Sequence, residues 1–305
     1  MQDLPPGFVA TILAVHGAAG RAWLDRLDSL LRACEQRWSL HLGPPFSDLT
    51  YNYVAPGVGL DGRPVILKAG VPNKELTTEI EALRLFDGQG AVCLLDADPL
   101  EGLLLLERLL PGTPLSLLPD DEQATAIAAG VMGQLWRPAP AATPFPTAAD
   151  WGRGFQRLRH RFDGGSGPFP TDLVTMAESL YAELLRSSGE AVLLHGDLHH
   201  NNLLAAERQP WLAIDPKGVI GEREYELGAL LRNPFPRLLN LPNAADLLRR
   251  RCDQLAAMLG FDRQRVHAWA VAQSVLSAWW DYEDNRPGWH LHLQVTRLLL
   301  AGDRK

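Results

Sequence analysis

His195-Gly196-Asp197-Leu198-His199-His200-Asn201-Asn202 carries an aspartate and an asparagine in the spacing H-x-D-x-x-x-x-N, and an isolated acid, Asp215, follows. In that pattern the aspartate orients a hydroxyl and accepts its proton, while the asparagine holds Mg²⁺. Asp215 closes the apolar run Trp211-Leu212-Ala213-Ile214, which reads as a short buried strand. An acid at such a strand end suits a metal beside phosphates. Mg²⁺ prefers hard oxygen ligands and keeps several waters, so one amide and one carboxylate suffice alongside phosphate oxygens. The chemistry predicted is transfer of a phosphoryl group from ATP to a hydroxyl, with Asp197 as catalytic base and Asn202 and Asp215 as metal ligands. His195 is expected to fix the loop by hydrogen bonds.

The same residue types cluster in turns, where their side chains satisfy nearby backbone groups. Flanking context separates the two readings. The motif lies between strand-like runs at 191–194 and 203–205, and a third run delivers Asp215. Zinc is disfavoured, because His199 and His200 are adjacent, no Cys-x-x-Cys supports them, and a catalytic zinc site needs several convergent ligands.

The elements that must position these residues begin with an amphipathic helix at 21–38, its stripe formed by Trp23, Leu24, Leu27, Leu30, Leu31, Cys34 and Trp38. Strands are predicted at 49–55 and 64–69 around the turn 57–62, a helix at 74–87 ended by Gly88 and Gly90, and strands at 91–95 and 102–107. Four strands with the helix 74–87 among them, in this order, resemble the small lobe of a kinase, with 107–112 as the hinge. The remainder reads as mostly helical, with helices at 120–136, 171–187, 223–232, 243–259, 263–284 and 289–301. A Pro/Ala-rich connector spans 137–149 and a Gly/Pro-rich loop 163–170. No internal repeat is present.

Lys68 ends the run Val65-Ile66-Leu67, as in the V-A-I-K strand of kinases, and would reach the nucleotide phosphates if held by a helix glutamate. Glu79 is the best placed, with Glu75 and Glu81 as competitors or all three as a solvated face. The nucleotide-covering loop falls near 46–52, where Ser47 and Thr50 would contact phosphate despite the lack of G-x-G-x-x-G. Adenine would meet the hinge backbone between Glu107 and Leu110, through Glu107 and Leu109.

At 305 residues the chain can bury a sizeable core, and 46% hydrophobic with 21% charged residues is ordinary for a globular protein. A net charge of −7 disfavours a nucleic-acid partner and suits a cationic one. Cys34, Cys93 and Cys252 form no disulfide framework, which argues for a reducing compartment. Residues 1–6 show neither a basic nor an apolar leader pattern, and no apolar run approaches the ~20 residues of a membrane span. A cytoplasmic protein without a membrane partner is expected.

His195-Gly196-Asp197-Leu198-His199 with Asn202, followed by Ala213-Ile214-Asp215-Pro216-Lys217-Gly218, resembles the aminoglycoside phosphotransferase family. Tyr225-Glu226-Leu227-Gly228, Leu104 to Leu109 and Trp279-Trp280-Asp281-Tyr282-Glu283-Asp284 are similar to its streptomycin 6-phosphotransferase and hydroxyurea kinase branch. The resemblance implies a bilobal α+β kinase-like fold. Residues 1–108 would form the nucleotide-binding small lobe and 109–305 the helical lobe with the catalytic loop and substrate site. It implies an ATP- and Mg²⁺-dependent kinase of a small-molecule hydroxyl, conferring antibiotic resistance, with Glu226 supporting the loop. Pro216-Lys217 replaces the Phe-Gly of protein kinases, and Lys217 would neutralise phosphate or pair with Glu222 or Glu224. For a polycationic substrate, Asp281, Glu283 and Asp284 are the expected carboxylates and Trp280, beside Trp279, a flat face; the alternative is a helix end with exposed acids and buried tryptophans. The competing functions are a kinase of an endogenous metabolite and a nucleotide-binding pseudo-enzyme.

Overall fold

The computed structural model describes residues 4–141 and 144–302, so the first three residues of the amino-terminal segment and part of the 137–149 connector lie outside the described residues. The chain divides into two compact units, Met1–Gly112 and Thr113–Lys305. The change of unit falls just past the predicted hinge, rather than at residue 108. The architecture is bilobal α+β: an antiparallel sheet dominates the smaller unit and helices the larger one.

In the smaller unit, α1 (Pro6–Trp38) begins much earlier than the predicted helix and is broken at Gly17, which has φ 53° and ψ −125°. The break explains the miss, since it interrupts the apolar period that identifies 21–38. By length and composition alone α1 is long and apolar enough to cross a membrane. Its stripe of Phe8, Ile12, Trp23, Leu27 and Cys34 is nevertheless packed in one core with Tyr53, Ala55, Leu67, Ala69 and Leu103. Each large side chain buried there contributes roughly 1.5–3 kcal/mol.

The strand β1 (Leu40–Leu42) is too short to show a period and was not predicted; it pairs with β2 (Tyr53–Gly59). The segment 49–52, expected as strand, is turn, and the buried alternation starts at Tyr53. Then come β3 (Pro64–Ala69), α2 (Lys74–Phe86), β4 (Leu94–Asp98) and β5 (Leu103–Glu107), in the sheet order β1-β2-β3-β5-β4. Asn73 caps α2 by accepting from the Leu76 N–H at 2.9 Å, worth about 1 kcal/mol. β4 lies three residues later than predicted because its exposed acids face α1: Asp96 accepts from the Trp38 indole and Asp98 from Arg37, both at 2.6 Å.

After β6 (Pro111–Pro114), the larger unit contains α3 (Asp121–Leu135), β7 (Arg137–Pro138), α4 (Ala148–Arg161) and α5 (Thr171–Arg186). Sequence reasoning passed over α4, although Thr147 and Asp150 form a reciprocal capping box that announces it. The strands β8 (Val192–Leu194), β9 (Leu203–Ala206), β10 (Trp211–Ala213) and β11 (Val219–Gly221) form two antiparallel pairs, the hairpin β9–β10 and the enclosing pair β8–β11, in the three-stranded sheets β10-β9-β6 and β11-β8-β7. The predicted helix 223–232 is a 3₁₀ turn, Arg223–Glu226, running into α6 (Leu227–Leu231). Finally α7 (Ala244–Leu259), α8 (Arg263–Glu283) and α9 (Trp289–Gly302) complete the unit. α8 is its central post: Trp269, Val275, Leu276 and Trp279 pack with Phe155 of α4, Tyr181 of α5, Leu194 and Val219.

Candidate active site

The two antiparallel pairs set the site. Asp197 follows β8, and Asp215 occupies the link between β10 and β11. Cross-bonds stitch the segments: the Ile214 N–H donates to the Asn202 carbonyl at 2.9 Å, and the Lys217 and Gly218 N–H groups donate to the His195 carbonyl at 2.8 and 3.1 Å. His195 is fully buried. Its Nε2 lies 2.8 Å from the Ile214 carbonyl, so Nε2 carries the proton, and Nδ1 accepts from the Asp197 N–H at 3.2 Å. Burial depresses its pKa to about 4, so the ring is neutral at pH 7 and both bonds persist.

Glu226 grips the loop from below. Its carboxylate accepts from the His195 N–H at 2.7 Å and the Gly196 N–H at 2.9 Å. Burial pushes the carboxyl up to about 7, while these N–H groups and that of Leu198 pull it back. Gly196 adopts φ +84°, and a Cβ there would meet Val219 Cγ2 at 2.7 Å, so the turn requires glycine. Asp215 itself has φ 58°, a left-handed conformation that costs a non-glycine residue about 1 kcal/mol or more and often marks a functional position. His200, also buried, meets Arg251 of α7, which pairs with Asp121 of α3 and donates to the Asn233 carbonyl at 2.6 Å.

Within this scaffold the Asp197 carboxylate makes no hydrogen bond among the described residues. Arg232 Nη2 stands 3.6 Å from Oδ1 and His199 Nε2 3.8 Å from Oδ2, with the side chain 30% exposed. A hydroxyl can therefore approach its lone pairs. Asn202 donates Nδ2 to the Asp197 carbonyl at 2.9 Å, which leaves Oδ1 as the amide atom for a cation. The amide oxygen and the Asp215 carboxylate are hard donors, and the set fits Mg²⁺. Arg232 is a functional candidate that sequence reasoning missed; it carries no motif, and only its approach to Asp197 reveals it.

In the smaller unit Lys68 and Glu79 are both buried, and Lys68 Nζ donates to both carboxylate oxygens of Glu79 at 2.6 and 2.8 Å. The competitor Glu81 turns outward to Arg84. Ser47 sits exposed in a turn within 43–52, the connection between β1 and β2. Glu107 ends β5 and spends its N–H and its carboxylate on Cys93, at 3.0 and 2.8 Å. Leu109 is nearly buried.

The late acids are paired. Glu283 takes a bidentate contact from Arg157 at 2.7 and 2.8 Å, and Asp284 accepts from Arg286 at 2.9 Å. Asp281 accepts from His292 at 2.9 Å and Arg286 at 3.3 Å. Among the three, Asp281 also acts electrostatically on Arg232 and so belongs to the catalytic-loop side. Trp280 packs edge-on against Trp151, with ring centres 5.5 Å apart.

Residues 52–285 match the aminoglycoside/hydroxyurea antibiotic resistance kinase family. The chain is 32% identical over 285 residues to a streptomycin 6-kinase of Streptomyces glaucescens, covering 93% of this chain and 92% of that one. It is 34% identical over 294 residues to a hydroxyurea phosphotransferase of Kitasatospora aureofaciens, covering 92% and 81% respectively. In fold it is similar to the crystal structure of the macrolide 2'-phosphotransferase MphH from Brachybacterium faecium, with TM-score 0.61, 17% identity, and 90% and 98% of the two chains covered. The loop built around Asp197 and these matches agree: the chain belongs to the aminoglycoside/hydroxyurea antibiotic resistance kinase family and is an ATP-dependent small-molecule phosphotransferase.

Proposed function

We propose that the protein phosphorylates a hydroxyl of a cationic aminoglycoside of the streptomycin type, using ATP and Mg²⁺ in the cytoplasm. The observation that carries this reading is the Asp197 carboxylate, which has no hydrogen bond of its own on a loop whose backbone is otherwise tied down. The streptomycin 6-kinase relative supplies the substrate class.

Asp197 orients the acceptor hydroxyl and takes its proton as the new phosphate ester forms. His195 and Glu226 hold the loop so that the carboxylate is aimed before substrate arrives, which is where most catalysis of this kind originates. Asn202 Oδ1 and Asp215 would hold Mg²⁺, which would supply charge neutralisation at the phosphates. In the smaller lobe Lys68, fixed by Glu79, binds the nucleotide phosphates, with the Ser47 turn covering them and the backbone from Glu107 to Leu110, including Leu109, meeting adenine. Asp281 offers a carboxylate to a substrate cation, with Glu283 and Asp284 nearby in sequence and Trp280 as a flat face. Lys217 assists charge neutralisation.

ADP release measured across streptomycin, other aminoglycosides and hydroxyurea tests the assignment. Turnover is expected to rise on adding streptomycin. A flat response to every aminoglycoside, with turnover on hydroxyurea or another hydroxyl compound, would reject the substrate class.

A further inference from the structure

Arg232 closes α6, and its placement is dictated at several points. The five residues of α6 are all buried, so the Cα of Arg232 is fixed by the core. Gln273 of α8 is nearly buried and locked: its Nε2 donates to the Tyr225 carbonyl at 2.6 Å, and its Oε1 is 3.4 Å from Arg232 Nη1. Gly228 makes room for it, since a Cβ at that position would come within 2.3 Å of Gln273 Oε1. One short segment thus grips the catalytic loop from two sides. Glu226 at its start binds the loop backbone, and Arg232 at its end faces the loop's acid.

The guanidinium is underfilled. Its side chain is 11% exposed, yet its contacts are that one long hydrogen bond and the 3.6 Å approach to Asp197. A guanidinium carries several N–H donors in a planar fork, and those left open here are not sealed off, since no Arg232 nitrogen is among the buried unbonded polar atoms of the described residues. Burial disfavours its charge, and the Asp197 carboxylate is the largest compensating influence. A structural ion pair would close to hydrogen-bonding distance. This one stands off, with its donors beside the carboxylate where an acceptor hydroxyl must lie.

We propose that Arg232 is a catalytic residue that donates N–H groups to the equatorial oxygens of the phosphoryl group as it moves to the acceptor. The inference rests on the phosphotransferase reading of Asp197. In the step, the acceptor oxygen forms a bond to the terminal phosphorus and its proton passes to Asp197. The bond from that phosphorus to the bridging oxygen breaks, and the electron pair leaves with ADP. Arg232 keeps its protons throughout; it offsets the charge spread over the transferring oxygens, the task a planar fork performs better than an ammonium.

Arg232→Gln and Arg232→Lys are compared with the wild type, with melting temperature as the folding control. Both are expected to lower kcat by on the order of 10³-fold, with KM for ATP changed by less than about twofold. The decisive arm repeats Arg232→Gln in an Asp197→Asn background. A further loss of on the order of 10-fold or more supports direct action on phosphate. No further loss means that Arg232 works only through Asp197, and overturns the proposal. A second arm needs no acceptor: calorimetry of ADP with Mg²⁺, with and without aluminium fluoride. Arg232→Gln is expected to bind ADP as the wild type does and to lose the affinity gained with fluoride; an intact gain overturns the proposal. A wild type that shows the gain but phosphorylates no aminoglycoside defeats the substrate reading and leaves Arg232 standing.

Discussion

The catalytic loop and the acidic end of α8 carry similar residues in the same unit, yet the structure treats them oppositely. Around Asp197 the polar groups that fold the loop are satisfied: buried His195 at both ring nitrogens, buried Glu226 by the loop N–H groups, and half-buried Asn202 at its amide nitrogen. The carboxylate at the centre is held at arm's length from the Arg232 guanidinium and the His199 ring. At 281–284 the carboxylates themselves are engaged, with Arg157, Arg286 and His292. A functional acid is marked by a satisfied scaffold around an unsatisfied side chain, whereas a helix-end acid neutralises the nearest cation. The comparison also divides the second region, because Asp281 alone of the three acts on Arg232.

The largest effect should come from Asp197→Asn, which removes the proton acceptor and leaves the loop backbone intact. Turnover is expected to fall by ~10²- to 10⁴-fold in a steady-state assay, with an unchanged melting temperature. Activity near that of the wild type would erase the contrast.

Glu226→Gln tests the scaffold instead. The folded-state carboxyl titrates at about 7 rather than its ordinary 4.5, so folding takes up a proton between those values. The contribution of Glu226 is therefore greatest at acid pH and falls as pH rises from about 4.5 through about 7, by up to about 3 kcal/mol at 1.36 kcal/mol per pKa unit, while His195, held near 4, contributes with the opposite sign. Urea unfolding across that range should show the stability difference between the wild type and Glu226→Gln shifting against the wild type as pH rises. Parallel profiles would remove Glu226 as the cause.

Within the acidic run, Asp281→Asn should raise KM for streptomycin by about 10-fold, the loss of one charge-assisted contact. Glu283→Gln should leave KM within about twofold and lower stability by less than about 1 kcal/mol, because its pair with Arg157 is largely exposed. Equal effects on KM would mean that the run acts as a unit and that influence on Arg232 does not decide which acid serves the substrate.

The chemistry of the loop was legible because phosphoryl transfer fixes both residue types and spacing, and the flanking strands are apolar runs. The stripe of 21–38 and the strand 64–69 were legible from periodicity. Strands of three residues, such as 40–42 and 219–221, carry no period, and α4 was hidden by its low apolar content despite the Thr147 cap. Arg232 lies in no motif; its meaning depends on a backbone path that brings residue 232 back to 197. The pairing of Asp281, Glu283 and Asp284 is equally invisible in one dimension, since Arg157 lies on another helix.

The central claim is tested most directly by phosphorus and proton NMR of the product formed from ATP and streptomycin by the purified enzyme. A single phosphomonoester on one streptomycin hydroxyl, formed by the wild type and formed at least ~10²-fold more slowly by Asp197→Asn, is the predicted result. Unmodified streptomycin after full incubation, or the same ester formed at the same rate by Asp197→Asn, would contradict it.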